Sequence, residues 1–280
     1  MKKKTLNSEK KHQIVVNAIL TVALVVLLLP FYWCIVLSFD KTAITDIPAF
    51  SLVPHEFTLN NYAYAWESID LPRYFLNTAF ITVINTALCV FFALMCGYAF
   101  AKGKFVGKKI IYFLMLGVMM IPFESRMIPL YLQYKKWGML NTYWPLIMGS
   151  FAYVYGTFFA RQNIAAIPDS LCESARIDGA SEWKIFFKII LPLCKPVASA
   201  LAILQVIAQW NSYLWPMIVI RSNSMQLLSV GIASLSADEY QVYYGPRMAV
   251  IVLSTLPLVV FYLFLQKYIV QSVALSGVKE

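Results

Sequence analysis

Apolar residues in this chain do not alternate with polar ones. They run in long blocks, and the polar and basic residues collect where the blocks end. A helix needs ~20 apolar residues to cross the hydrocarbon core of a bilayer. Five stretches meet that length with few or no charges: residues 14–39, 74–101, 110–132, 141–159 and 248–268. A sixth, residues 192–220, is weaker. Its apolar centre at 197–208 runs into Gln209, Trp210, Asn211 and Ser212, with Pro216 beyond. Kinked or unwound backbone is tolerated at membrane depth where it lines a cavity, so the sixth stretch is also read as a span. The pattern predicts an all-α, polytopic membrane helix bundle with about six transmembrane helices.

Basic residues then orient the bundle, because Lys and Arg are retained on the cytoplasmic side. With the N-terminus inside, the inner segments hold sixteen of the 23 basic residues and the outer segments six, with Arg126 left inside a span. The bias alternates correctly from loop to loop. Both termini are therefore expected in the cytoplasm. Residues 1–13 are a cytoplasmic N-terminus, residues 14–270 the membrane domain and residues 271–280 a cytoplasmic tail. The longest inner connection is residues 161–191.

Composition agrees with lipid as the main solvent. Hydrophobic residues make up 60% and charged ones 13%, where a soluble domain carries about a quarter charged. The formal net charge of +9 does not point to nucleic acid, since the basic residues sit at the ends of apolar runs and form no basic domain. Cys34, Cys89, Cys96, Cys172 and Cys194 show no metal-ligand spacing, and His12 and His55 are the only histidines, so neither a zinc site nor a structural disulfide is expected. The basic N-terminus followed by an apolar run is too long for a signal h-region and is read as a retained span.

The inner connection reads IPDSLCESARIDGASEWKIFFKIILPLCKP. Asp169 is placed to cap a helix of about two turns over residues 170–178, and Gly179 suits the left-handed residue that ends it. Ser181 is placed to cap a second helix, with Glu182 in its first turn and Pro192 at its far end. An amphipathic connector on the membrane face and a docking element for a partner both fit this pattern.

Glu173-Ser174-Ala175, three residues, Gly179, nine residues, Ile189, one residue and Leu191-Pro192 resemble the "EAA" loop of ABC importer permeases, spacing for spacing, with Ser174 where Ala is usual. The string ESARIDGAS is typical of the carbohydrate-uptake members. The strings LLPFYWCIVLSFD, GYAFAKGKFVGKK, MMIPFESRMIPLY, WNSYLWP and QKYIVQSVALSGVKE are similar to the smaller six-span partner of maltose-type permeases. The resemblance implies a binding-protein-dependent importer subunit in a bacterial inner membrane. It implies a second homologous permease, two ATPase subunits, an extracytoplasmic solute-binding protein and a sugar substrate. It makes Glu173, Ser174, Ala175, Asp178, Gly179 and Ala180 the contact to the ATPase, and Ser276, Gly277 and Lys279 the tail that reaches between the ATPase subunits.

A phosphate-binding loop needs Gly, four residues, then Gly-Lys-Ser/Thr. Gly103 to Gly107-Lys108-Lys109 has three intervening residues and no hydroxyl, so this chain is expected to bind no cofactor and not to be an enzyme. ATP and magnesium then belong to the partner ATPase subunits.

Two groups of residues are candidates for the solute path. Glu124 and Arg126 stand in a span between Pro122 and Pro129, which should kink or open the helix. Buried charge in a span usually carries function, although snorkelling at the outer interface is the other reading. Gln205, Gln209, Trp210, Asn211, Tyr213 and Trp215 combine amides with flat aromatic rings, the pairing that sugar hydroxyls and C–H faces require. Interhelical hydrogen bonding and an interfacial aromatic belt are the structural alternative. Asn77, Asn85 and Asn141 are read as caps or links. A glycerol 3-phosphate importer and an ion-coupled secondary transporter are the competing functions.

Overall fold

The computed structural model describes residues 2–43, 48–235 and 244–277. No strand occurs among the described residues, and one isolated antiparallel bridge joins Asp40 and Phe57. The helices in chain order are α1 (Lys2–Ser38), α2 (Asn60–Ser68), α3 (Leu71–Lys102), α4 (Lys108–Met119), α5 (Phe123–Lys136), α6 (Trp144–Ile147) and α7 (Val154–Ala165). They continue with α8 (Asp169–Ile177), α9 (Glu182–Ile185), α10 (Leu191–Leu193), α11 (Lys195–Trp210), α12 (Leu214–Val219), α13 (Leu228–Ser234) and α14 (Tyr244–Gly277).

Three described helices are long and apolar enough to cross a membrane: residues His12–Ser38, Leu71–Lys102 and Tyr244–Phe264. Two bent pairs raise the number to as many as five. The pair α4 and α5 turns by 100°, and Glu182–Leu193 turns by 77° into α11. The expected opening of residues 110–132 occurs at one proline rather than two. Pro122 adopts the extended ψ of 144° that precedes α5, whereas Pro129 lies inside α5. The expected span at 141–159 is divided. Asn141 has a left-handed φ of 57°, α6 lasts one turn, a 3-10 segment follows at Met148–Ala152, and α7 begins only at Val154. Short polar Asn tolerates the left-handed region better than other non-glycine residues.

The described chain forms two units, Met1–Ile69 with Ile232–Thr255, and Asp70–Gly231 with Leu256–Glu280. In the first, α1 presents Ile14, Leu20, Val26 and Leu27 at more than half exposure, which suits a helix solvated by lipid. The turn after α1 is organised by Asp40, 1% exposed. Its carboxylate accepts from the Thr42 amide at 2.9 Å, the Thr42 hydroxyl at 2.7 Å and the His55 amide at 2.9 Å, with His55 Nδ1 at 3.0 Å. Burial works to raise the Asp40 pKa, but these donors outweigh it and hold the carboxyl well below the usual range.

In the second unit, α3 and α7 cross with almost no space between them. A Cβ on Gly97 would meet Ala160 Cβ at 2.7 Å, and one on Gly156 would meet Ala93 Cβ at 2.9 Å. Small residues let membrane helices approach in this way, where close packing replaces the hydrophobic drive that lipid removes. The main core follows from that crossing. Ala93, Leu94, Ala160, Ile164, Cys172, Ile185, Phe186, Ile190 and Leu201 are each at most 2% exposed and pack as one cluster. A smaller cluster joins Ile81, Leu146, Val219, Ile220 and Leu227.

Polar side chains link the segments around it. Asn85 Nδ2 donates to the Leu146 carbonyl at 3.1 Å while its Oδ1 accepts from Ser150. Asn77 donates to the carbonyls of Ser224 and Gln226 at 3.0 and 2.9 Å. Asn141 Oδ1 accepts from the amides of Arg221 and Ser222 at 2.9 and 2.8 Å. Each of the three asparagines is a link, as their isolated placement in apolar sequence predicts.

Candidate functional site

The connection between α7 and α11 folds as a compact helical hairpin. Pro168 has an extended ψ of 134° and starts α8 directly behind it. Asp169 is therefore the first helical residue and not the cap. Its carboxylate instead takes Lys102 Nζ at 2.5 Å, at the end of α3, and this contact lowers its pKa. The same Nζ donates to the Ile167 carbonyl, and the Lys102 side chain is only 5% exposed. At the other end the expected turn is present. Gly179 has φ +75°, and the Ala180 amide donates to the Ala175 carbonyl at 2.9 Å. Ser181 then caps α9, its hydroxyl accepting from the Lys184 amide at 3.3 Å.

Beyond α9 the chain does not continue as a plain α-helix. Phe186–Ile190 form a π-helical turn that leads into α10. A π-turn shifts the facing of the residues that follow it, and such turns concentrate at functional sites. Pro192 lies within α10 rather than ending the preceding helix, and the chain bends at Cys194 instead.

Burial divides the six motif residues into two sets. Glu173, Ser174, Asp178 and Gly179 are exposed. Ala175 and Ala180 pack against the main core, next to Cys172 at 1% and Ile185 at 0% exposure. The small residues thus seat the hairpin, and the polar ones form its outward surface. Ile177 is 86% exposed at the tip beside them.

A charged cluster fixes the hairpin from behind. Glu182 Oε2 accepts from Tyr98 Oη of α3 at 2.5 Å. Arg176 donates through Nε to Glu182 Oε1 at 2.7 Å and through Nη2 to Oε2 at 3.3 Å. The bidentate pair spans the Gly179 turn and raises the already high Arg176 pKa. One carboxylate therefore joins α8, α9 and α3. Tyr98 and Lys102 escape sequence reasoning because they precede the loop by more than sixty residues; their spacing of four, which puts both on one helix face, is the only available signal.

The expected solute-path residues fall into separate groups. Trp210 is 8% exposed and sets its ring edge-on to Phe75, with centroids 5.5 Å apart. Gln205 and Gln209 are half-buried on α11, and Asn211 turns back to donate to the Ile207 carbonyl at 2.8 Å. Tyr213 is 41% exposed. Trp215 lies elsewhere. It donates to the Pro145 carbonyl at 3.0 Å and meets Phe123 at 5.7 Å and Tyr134 at 6.0 Å. Arg126 joins this second group, its guanidinium 5.9 Å from the Phe123 ring and its Nε buried without a hydrogen-bond partner. Glu124 is exposed. Ser276 and Gly277 end α14, and Lys279 lies outside the described residues.

Comparison with known proteins places this geometry. Residues 89–275 match the family model described as "Binding-protein-dependent transport system inner membrane component". The chain is 37% identical to the arabinooligosaccharides transport system permease protein AraQ of Halalkalibacterium halodurans, over 81% of this chain and 81% of that protein. It is 31% identical to the diacetylchitobiose uptake system permease protein NgcG of Streptomyces coelicolor, over 96% of this chain and 89% of that one. The fold matches the crystal structure of a bacterial ABC transporter involved in the import of the acidic polysaccharide alginate. That match has a TM-score of 0.81 and 23% identity, and covers 94% of this chain and 98% of the other. With its apolar helices, its broken spans and its helical hairpin, the chain belongs to the family of binding-protein-dependent transport system inner membrane components.

Proposed function

We propose that this chain is the permease subunit of an ATP-driven importer for a sugar or oligosaccharide, working by alternating access. The curated relatives are permeases of arabinooligosaccharide and diacetylchitobiose systems, which supports a saccharide as the solute. Membership of a binding-protein-dependent family replaces the ion-coupled carrier as a reading. In this scheme a solute-binding protein delivers the sugar on the outer face. A second permease completes the path, and two ATPase subunits bind at the inner face. Arg126 is the one basic residue within the apolar part of the six expected spans, which favours a saccharide without a phosphate ester over one with two charges to neutralise.

The observation that carries the proposal is the hairpin at 169–190. Its exposed end presents Glu173, Asp178 and Ile177, while its buried side is clamped to α3. A rigid element with one free face can transmit a push without absorbing it. When the ATPase subunits close on ATP, the hairpin moves with them and carries α3, so the outward-facing cavity opens. Hydrolysis reverses the movement.

Reversing the charge at the tip tests this. Asp178→Lys is expected to abolish sugar uptake and the co-purification of the ATPase subunit while membrane insertion stays normal. Normal uptake together with normal co-purification would refute the assignment of the hairpin.

A further inference from the structure

Behind the hairpin lies a cavity of about 630 Å³ that coupling to an ATPase does not use. That volume is in the range of sites that hold small molecules. It sits where α3 ends and the chain turns into α4; at 1.5 Å per residue a helix of 32 residues is about 48 Å long and outruns a hydrocarbon core of about 30 Å, so its last turns reach the headgroup layer. Its inner wall is apolar, built by Met95 and Ala99 of α3 with Trp183 of α9, and the nearly buried Phe186 lies at its back. Its mouth carries cations: Lys102, Lys104 and Arg176.

The cations differ in what they can still bind. Lys102 is taken by Asp169 and the Ile167 carbonyl, and Arg176 by both oxygens of Glu182. Glu182, the single carboxylate in the lining, is satisfied by Arg176 and Tyr98. Lys104 is exposed; it feels the Asp169 carboxylate at longer range, but that carboxylate's close contact is with Lys102. Beside it, Phe105 is 42% and Val106 98% exposed, and Lys108 and Lys109 follow. Large apolar residues held out between lysines are the pattern of a segment resting in the headgroup layer, with rings among the acyl chains and amines on phosphates.

We propose that this cavity binds one anionic phospholipid, its acyl chain along Met95, Ala99 and Trp183 and its phosphate on Lys104. An apolar floor beneath a cationic rim fits an amphiphile. A free anion would leave the apolar wall unused, and a neutral apolar ligand would leave the cationic rim unused. A bound lipid would fill the space between α3 and the hairpin and stiffen their clamp.

The test uses the full transporter complex in bilayer discs of phosphatidylglycerol or of phosphatidylcholine. Two readouts apply: the lipid retained on mild detergent extraction, and the rate at which Lys104 is acylated by an amine reagent. Retention of phosphatidylglycerol and slower Lys104 labelling in that lipid are expected. Lys104→Gln should lower retention about fivefold, the effect of one lysine at a membrane surface. Ala99→Phe, which fills the floor, should lower it without removing the charge.

Equal retention of the two lipids would overturn the proposal. So would protection of Lys104 by inorganic phosphate in phosphatidylcholine discs, which would make the ligand a free anion. Protection that depends on the ATPase subunit and not on the lipid would make the occupant a protein, and would equally overturn it. None of these outcomes touches the uptake result for Asp178→Lys, so the two readings fail separately.

Discussion

Single residues fix the turns on which the longer elements depend. Asp40 shows the physics most directly. Four donors converge on a carboxylate at 1% exposure, so its charged form is favoured in the fold beyond what the open chain offers. A carboxyl whose folded pKa is depressed stabilises the fold fully above its unfolded pKa, about 3.9, and loses that contribution as pH falls toward the folded value. Asp40→Ala is expected to cost about 2–3 kcal/mol near neutral pH, from charged hydrogen bonds lost and donors left unpaired. Hydrogen exchange at the amides of Lys41 and Thr58, which pair across the turn to Glu56 and Phe39, reads this locally. The gap in protection between wild type and Asp40→Ala should be wide at pH 7 and narrow progressively as pH falls below about 4. A gap that widens on acidification would contradict the assignment of the charge. Nothing in the sequence singles out this aspartate, because its four donors come from two residues, one of them fifteen positions away. The left-handed Gly179 is different, since a glycine between two amphipathic stretches marks a turn by itself.

Elements follow the same division between local and distant causes. The three long apolar helices lie close to where hydrophobic runs place them, because run length alone decides whether a helix can span. The broken spans were only partly legible. Pro122 marked the α4–α5 bend, but Pro129 could equally have marked it, and only packing selects between them. Residues 141–159 read as one apolar run, whereas the left-handed Asn141 and its bonds to residues 221 and 222 break it up.

The hairpin was legible in its spacing and its caps at Gly179 and Ser181. Its attachment to α3 was not. Tyr98 supplies that attachment with a bond to Glu182 that lies outside any sequence window. Tyr98→Phe keeps the ring in the core and removes the bond. It is expected to leave ATPase binding and ATP hydrolysis within about twofold, yet to lower sugar transported per ATP several-fold, since one hydrogen bond to a charged group contributes about 1.5–3 kcal/mol. Glu182→Gln should give a similar loss, and the double variant should be little worse than either, because partners in one network do not add. Additive losses would mean that Tyr98 and Glu182 act independently, and the clamp would have to be abandoned.

At the scale of the molecule, one physical constraint connects the charge pattern to the hairpin. A lever that meets an ATP-consuming subunit works only if it lies on the side where ATP is, and that side is set by lysines and arginines far from the lever itself. Sixteen basic residues on one set of connections against six on the other bias the whole bundle, and the hairpin carries five of the sixteen or adjoins them. Orientation and coupling are thus one prediction rather than two. Cysteines introduced at Ile177 and at Phe57, 86% and 70% exposed in their respective units, allow the test in intact cells. An impermeant thiol reagent added outside should label position 57 and leave position 177 unlabelled until the membrane is opened. Replacing Cys34, Cys89, Cys96, Cys172 and Cys194 by Ala or Ser is the needed background, and three of the five are already buried. If position 177 were labelled from outside, the charge bias would have misoriented the bundle and the hairpin could not reach an inner ATPase. Labelling of neither site in intact cells, with both reacting once the membrane is opened, would place residues 40–73 and the hairpin on the same side and require an even number of crossings between them. Since α3, the α4–α5 pair and the α6–α7 segment are what lies between these two regions, that result would mean that one of the last two does not complete a crossing, and the path for solute would have to be rebuilt around a re-entrant segment.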